Sequence, residues 1–133
     1  MGQAGGLRYL EDMPSGKILA VLEDLMFTVK INDAAKHSGI PVEFLKSEHD
    51  VLERAQQHPS LIIIDLNFLA IEPIHLVTEL KSREATRGVP LVAYVSHVQA
   101  DLKRQAQDAG CDVVLVRSAF SQNLPQILRR HSE

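Results

Sequence analysis

Acidic side chains follow two of the most apolar stretches of this 133-residue chain. Asp65 closes the run Leu61–Ile64, and Glu23 and Asp24 come directly after the run Ile18–Leu22. Continuous apolar runs of this kind predict strands that are buried on both faces, as in the middle of a parallel sheet. Open α/β sheets place their ligand-binding and reacting groups at the carboxyl ends of such strands. Asp65 is therefore a candidate functional residue, and the acidic pair is a second group that could act with it.

Each of these acids also has an ordinary structural explanation. Aspartate is common as the first residue of a turn or helix, so Asp65 could simply cap the segment that follows it. Glu23 and Asp24 could form the acidic start of a helix, which the helix dipole favours. For Asp65 the residues alone leave both interpretations open, whereas the position of the acidic pair after a strand favours a functional role.

The elements that position these groups follow from the apolar pattern of the whole chain. Apolar runs and three- to four-residue apolar spacings alternate, and they predict five strands and five helices. Such alternation implies right-handed crossovers and a parallel sheet with helices on both faces. We therefore predict one doubly wound α/β domain, with strands at 17–22, 42–46, 61–64, 89–95 and 113–116.

Particular residues predict where the helices begin and end. Gly39 stands where the first helix should end, and Ser47 should cap the second helix. Pro73 fits the first turn of the third helix, where its missing N–H is not needed. After the fifth strand, Arg117–Phe120 is predicted to be a loop, with Ser121 as the cap of the last helix.

Length and composition predict one globular domain and exclude several function classes. The domain is assigned to residues 17–133, preceded by a glycine-rich flexible arm at 1–16. A net charge of -3 without a basic cluster argues against a nucleic-acid partner. The arm has no continuous apolar stretch, which argues against a membrane span or signal peptide. The single cysteine, Cys111, excludes an internal disulfide and a multi-thiolate metal site, and so favours a cytoplasmic location.

Taken together, these features resemble the receiver domain of bacterial two-component response regulators, the CheY-like family, from Lys17 to Arg130. The resemblance depends on the acids after the first strand, the lone Asp65 after the third, and the sequence Ala109–Asp112 before the fifth. The family usually has Ala-Gly-Ala-Asp at this last place. The resemblance implies a flavodoxin-like (βα)5 fold with strand order 2-1-3-4-5, in which the ends of strands one and three lie side by side.

The resemblance also implies a chemistry for the acids. In the family the aspartate after strand three accepts a phosphoryl group, and Mg²⁺ offsets the charge of the phosphate oxygens. By matching positions, Asp65 would be the phosphoacceptor. Glu23, Asp24, Asp65 and the backbone carbonyl of Asn67 would hold the metal.

The sequence departs from the family pattern at four positions. Leu22 replaces the first acid, and Val95 stands where a phosphate-binding hydroxyl is expected, with Ser96 next to it as a candidate donor. Arg117 replaces the lysine that contacts the phosphoryl oxygens, and its forked guanidinium is not equivalent to an ammonium group. Ser118 replaces a common proline. The sequence thus predicts an atypical receiver that keeps the acceptor aspartate and has lost part of its surroundings.

Two functions therefore remain open. The first is a receiver that takes a phosphoryl group from a histidine kinase or phosphotransfer protein onto Asp65 and signals to a downstream protein. The second is a pseudo-receiver, a phosphorylation-independent interaction module in which Arg117 pairs with Asp65 in one fixed state. Neither is a turnover enzyme, and homodimerisation is left open. A flavodoxin is disfavoured because Leu22–Thr28 contains no glycine, and an aspartate-type phosphohydrolase because Asn67 stands where a second aspartate is needed.

Overall fold

Five parallel strands form a single sheet in the computed structural model, which describes residues 16–131 of the chain. The strand order is β2-β1-β3-β4-β5, so the predicted doubly wound fold and its strand order are confirmed. The predicted arm at 1–16 lies outside the described residues except for Gly16. The strands are β1 (Ile18–Val21), β2 (Val42–Leu45), β3 (Leu61–Asp65), β4 (Leu91–Val95) and β5 (Val113–Val116).

Helices cover both faces of this sheet, as the alternating pattern predicts. A short 3-10 turn, Leu69–Ile71, precedes α3. None of the described helices is long and apolar enough to cross a membrane. The helices are α1 (Leu25–Ser38), α2 (Glu48–Ala55), α3 (Pro73–Ser82), α4 (Ala100–Asp108) and α5 (Arg117–Arg130).

The central strand β3 separates two apolar cores. Its side chains alternate, so that Leu61 and Ile63 face the side covered by α1 and α5, which we call the α1/α5 face. Ile62 and Ile64 face the opposite side, covered by α2, α3 and α4. All four are fully buried, which explains why the run is apolar without interruption. Asp65 continues the alternation toward the α1/α5 face.

Register places the key residues of neighbouring strands side by side. Val21 of β1 pairs with Ile64 of β3, so the next residues, Leu22 and Asp65, lie at the same level. Asp65 in turn pairs with Tyr94 of β4. Leu22 and Tyr94 are both buried in the core of the α1/α5 face. The strand ends thus bring one carboxylate into a row whose other members are apolar or aromatic.

Most of the predicted helix boundaries are confirmed. Gly39 ends α1 in a left-handed conformation, with φ at 68°, and Pro73 is the first residue of α3. The Ser47 hydroxyl accepts a hydrogen bond from the Asp50 N–H at 3.1 Å, so Ser47 is the N-cap of α2. Each of these residues acts through local backbone geometry, which is why the sequence pattern identified it.

The predicted loop Arg117–Phe120 and the predicted cap Ser121 are wrong. Helix α5 begins at Arg117, directly after β5, and Ser121 lies in its second turn. The reason is the apolar spacing of Phe120, Leu124 and Leu128, which are buried at four-residue intervals along one side of the helix. Burying Phe120 in this stripe extends the helix one turn toward its N-terminus.

The two serines predicted as caps should differ in their effect on stability. Ser47→Ala removes an N-cap hydrogen bond and is expected to lower the free energy of unfolding by about 1 kcal/mol. Ser121→Ala removes only an exposed contact from Lys30 Nζ and should change it by less than about 0.5 kcal/mol. Urea denaturation of both variants measures the difference, and equal effects would contradict the assignment of α5.

Candidate functional site

A cleft of about 340 Å³ opens at the carboxyl ends of β1, β3 and β5. Five of the six residues predicted from the sequence to form the site line this cleft, and Ser96 does not. The predicted residues are brought together because the strand order places the ends of β1 and β3 next to each other. The lining consists of Glu23, Asp24, Asp65, Asn67, Phe68, Leu69, Ala70 and Arg117.

Asp65 lies at the floor of the cleft and is only 5% exposed. Its Oδ1 accepts a hydrogen bond from the Asn67 N–H at 2.8 Å, and its carbonyl accepts one from the Phe68 N–H at 3.1 Å. Asp65 therefore closes a turn, as the structural interpretation predicts, and also faces the cleft. Burial raises the pKa of its carboxyl group above the ordinary value, although the Asn67 N–H and the charge of Arg117 act in the opposite direction.

Asp24 joins the start of α1 to the start of α5. As the N-cap of α1, its Oδ1 accepts a hydrogen bond from the Phe27 N–H at 3.2 Å. Its Oδ2 accepts one from Arg117 Nη2 at 2.5 Å. This contact with Arg117 holds the pKa of the Asp24 carboxyl below its ordinary value. Both oxygens of Asp24 are thus already bonded to the protein.

The predicted ion pair between Arg117 and Asp65 is wrong, because Arg117 pairs with Asp24 instead. The guanidinium lies 4.4 Å from the centroid of the Phe27 ring, which is a cation–π distance. The guanidinium therefore lies beside the start of α1, where it is paired with the Asp24 carboxylate. Its charge still acts on the carboxyl of Asp65, but only through space.

The side chain of Asn67 is hydrogen-bonded to the backbone of Ser96. The Asn67 Oδ1 accepts a hydrogen bond from the Ser96 N–H at 3.0 Å, and the Asn67 Nδ2 donates to Gln99 Oε1. These contacts tie the loop after β3 to the loop after β4. Ser96 takes part in these contacts through its N–H. The described contacts do not involve its hydroxyl, so the role of this hydroxyl as a hydrogen-bond donor to a phosphoryl group stays a prediction. Val95, at the expected hydroxyl position, is buried in the core on the opposite face.

Of the four predicted metal ligands, Asp24 is not free to bind Mg²⁺ in this arrangement. Mg²⁺ requires a near-octahedral set of oxygen donors, yet both oxygens of Asp24 are committed and Leu22 offers none. Glu23 is exposed at the mouth of the cleft. Among residues 16–131, no three His, Cys, Asp or Glu side chains are grouped to hold a metal ion. The positive charge of Arg117 also lies in the cleft, where it opposes a second cation.

An aromatic floor, formed by Phe27, Tyr94 and Phe120, lies beneath these polar groups. The three rings form a triangle, with centroid distances of 4.9 Å from Tyr94 to Phe27, 4.7 Å from Tyr94 to Phe120 and 6.0 Å from Phe27 to Phe120. Sequence reasoning did not place Tyr94 in the site. The alternation of side chains along the strands could have placed it there. Tyr94 pairs with Asp65 once the sheet order is known, and paired residues point to the same face.

Comparison with known proteins gives a consistent result at the level of fold. The chain matches no protein-family model and no curated protein. It is similar to the structure of a putative response regulator from Chloroflexus aurantiacus J-10-fl, with a TM-score of 0.76, 17% identity, and coverage of 90% of this chain and 98% of that one.

The chain is also similar to two further structures. One is the receiver domain of the sensor histidine kinase PA1611 from Pseudomonas aeruginosa PAO1, with a magnesium ion coordinated in its active site cleft. Its TM-score is 0.74, with 20% identity and coverage of 87% and 96% of the two chains. The other is the phosphorylated cyanobacterial phytochrome response regulator RcpA, with a TM-score of 0.71, 22% identity, and coverage of 86% and 89%. At these identities the likeness establishes that residues 16–131 have the receiver-domain fold.

Removing the charge of Asp24 should destabilise the protein at neutral pH and have less effect in acid. Asp24→Asn keeps an N-cap acceptor but weakens the contact with Arg117, at a cost of about 1 kcal/mol at pH 7. Because the pKa of Asp24 is lowered by folding, this contribution is complete above its ordinary value of 3.8 and is lost as the pH falls through the lower folded value. Urea denaturation at pH 7 and at about pH 3 measures both effects.

Arg104→Gln is a matched control for this prediction. It breaks an exposed ion pair in which Arg104 Nη2 lies 3.7 Å from Asp101 Oδ1. Such pairs contribute little, so the expected change is below about 0.5 kcal/mol. An equal effect of the two substitutions, or an Asp24→Asn effect that persists unchanged in acid, would show that the Asp24–Arg117 contact is not a stabilising ion pair.

Proposed function

We propose that this chain is a pseudo-receiver, a signalling module that acts through protein–protein contacts and holds one state without phosphorylation. Two kinds of observation support this proposal: the receiver-domain fold, and the contacts within the cleft. The main observation behind the proposal is the hydrogen bond from Arg117 to Asp24, with the guanidinium lying over the Phe27 ring. This bond commits the cation of the cleft to a structural partner.

Phosphoryl transfer to a carboxylate makes demands that this cleft meets poorly. The attacking oxygen must be accessible, and cations must offset the negative charge of the phosphoryl oxygens. Asp65 is almost fully buried, and one of its oxygens accepts the Asn67 N–H. Arg117 would have to leave both Asp24 and the Phe27 ring before it could reach a phosphoryl group. Exposing Asp65 and freeing Arg117 would therefore each break contacts that already stabilise the fold.

Exposed apolar side chains near the cleft support a role in protein contacts. Leu25 and Met26, at the start of α1, are 76% and 64% exposed. Leu69 and Val98, in the loops after β3 and β4, are also largely exposed. Large apolar groups held at a surface are typical of interaction sites. The partner in this proposal is a protein: a histidine kinase or phosphotransfer protein, a downstream protein, or a second copy of the chain.

Phosphorylation of Asp65 is the second candidate function. The observation that favours it is the position of Asp65 at the floor of a cleft that it shares with Glu23 and Asn67. The structural likeness to a phosphorylated regulator and to a receiver domain with bound magnesium adds support. In this case a histidine kinase or phosphotransfer protein would donate the phosphoryl group, with Mg²⁺ as the expected cofactor.

Intact mass after incubation with acetyl phosphate and Mg²⁺ separates the two functions. For the pseudo-receiver we expect no phosphoryl addition to the wild type beyond that of Asp65→Asn, because the nucleophile is buried and Arg117 is committed to Asp24. A receiver domain of known activity, treated in parallel, shows that the reagent transfers its phosphoryl group. Calorimetric titration with Mg²⁺ should likewise give no binding heat at the concentration used for labelling.

A further variant makes the result interpretable. Val95→Thr combined with Arg117→Lys restores the residue types that the resemblance implies, and labelling of this double variant alone would identify those two positions as the obstacle. One phosphoryl group on the wild type, absent from Asp65→Asn, would overturn the pseudo-receiver and establish the phosphoaccepting function instead.

A further inference from the structure

The hydroxyl group of Tyr94 is buried without a hydrogen-bond partner among the described residues. The whole side chain is 0% exposed. Buried polar groups are nearly always hydrogen-bonded, because leaving one unpaired loses its hydration without replacement. A phenylalanine at this position would fill the space without this cost, as the neighbouring Phe27 and Phe120 do at theirs. The hydroxyl of Tyr94 therefore requires a specific explanation.

The position of the ring directs this hydroxyl toward the cleft floor. Tyr94 pairs with Asp65 across adjacent parallel strands, so both side chains point to the α1/α5 face. Contact with the neighbouring rings of Phe27 and Phe120 limits the movement of the Tyr94 ring. The hydroxyl is close enough to Asp65 to favour the ionised carboxylate and thus to act against the rise of its pKa caused by burial. Burial and the charge of Asp65 in turn raise the pKa of Tyr94, so its proton stays in place.

The acceptors around this hydroxyl can be sorted by the bonds they already make. Asp24 uses one oxygen for the Phe27 N–H and the other for Arg117. Asp65 uses only Oδ1, for the Asn67 N–H. Arg117 carries no acceptor, and Glu23 is exposed at the mouth of the cleft. The second oxygen of Asp65 is thus the acceptor that remains beside the phenol.

We propose that the Tyr94 hydroxyl donates a hydrogen bond to the Asp65 carboxylate from beneath the cleft and holds it against the aromatic floor. Tyr94 is then a positioning residue that determines how far Asp65 is available to anything that enters the cleft. This consequence rests on the proposed function, in which Asp65 is not phosphorylated, whereas the hydrogen bond itself does not depend on that function.

A double-mutant cycle tests the bond directly. Tyr94→Phe, Asp65→Leu and the double variant are compared with the wild type by urea denaturation at pH 7. If the two side chains are bonded, the double variant should deviate from the product of the single effects on the unfolding equilibrium constant by about tenfold. A cycle of Tyr94→Phe with Ser47→Ala, which lies at the far edge of the sheet, should be multiplicative. A multiplicative result for Tyr94 and Asp65 as well would overturn the proposal.

A spectroscopic measurement tests the same bond without depending on stability. The chain has two tyrosines and no tryptophan, so Tyr94 becomes the only tyrosine in a Tyr9→Phe background. A phenol that donates to a carboxylate absorbs at longer wavelength than one that donates to nothing. Asp65→Leu should therefore shift the Tyr94 band to shorter wavelength, and Ser47→Ala should leave it unchanged. Should Asp65→Leu fail to fold, Asp65→Asn replaces it with a smaller shift expected, and no shift in the folded variant contradicts the bond.

These readouts are independent of phosphoryl transfer. Labelling of Asp65 by acetyl phosphate would overturn the pseudo-receiver and leave the coupling and the spectral shift as they are. Absence of coupling and of the shift would remove the Tyr94–Asp65 bond and leave the pseudo-receiver proposal standing. The two proposals can therefore fail separately.

Discussion

The contact between Asp24 and Arg117 is the interaction on which the site depends. Asp24 is the N-cap of α1, and Arg117 is the first residue of α5, a helix with no side-chain cap and no acid in its first turn. A cation at a helix N-terminus is unfavourable because it faces the positive end of the dipole. The carboxylate of Asp24 offsets this, so one aspartate stabilises the starts of two neighbouring helices. The same contact fixes the guanidinium that lines the cleft.

Burial of Asp65 is the second constraint, and it follows from the architecture. A residue that ends the central strand of a five-stranded sheet is covered from both sides, by the neighbouring strand ends and by the loops above them. In an acidic, metal-binding cleft such a carboxylate would be offset by a bound cation. Here its surroundings are Leu22, the aromatic floor and the charge of Arg117. Its ionised form therefore depends on the Asn67 N–H and, in our proposal, on the Tyr94 hydroxyl.

The fold itself is compatible with different arrangements of charge in this cleft. The strand order brings the ends of β1 and β3 together whatever residues they carry. What can differ is the group that carries the positive charge in the cleft and the partner to which that group is bonded. A lysine or a metal ion that is free to move can follow a phosphoryl group, whereas a guanidinium bonded to a helix cap and stacked on Phe27 is held in place. The contacts around Arg117 therefore favour a static cleft.

The sequence by itself indicated the fold and five of the residues that line the cleft, and the resemblance implied the strand order. Apolar periodicity, Gly39, Ser47 and Pro73 act locally, so a linear pattern suffices to read them. Two features depended on tertiary structure: the choice of Asp24 over Asp65 as the partner of Arg117, and the place of Tyr94 beneath Asp65. Each is set by which strands and helices are neighbours, and so by packing between residues up to 93 positions apart, which no local pattern encodes.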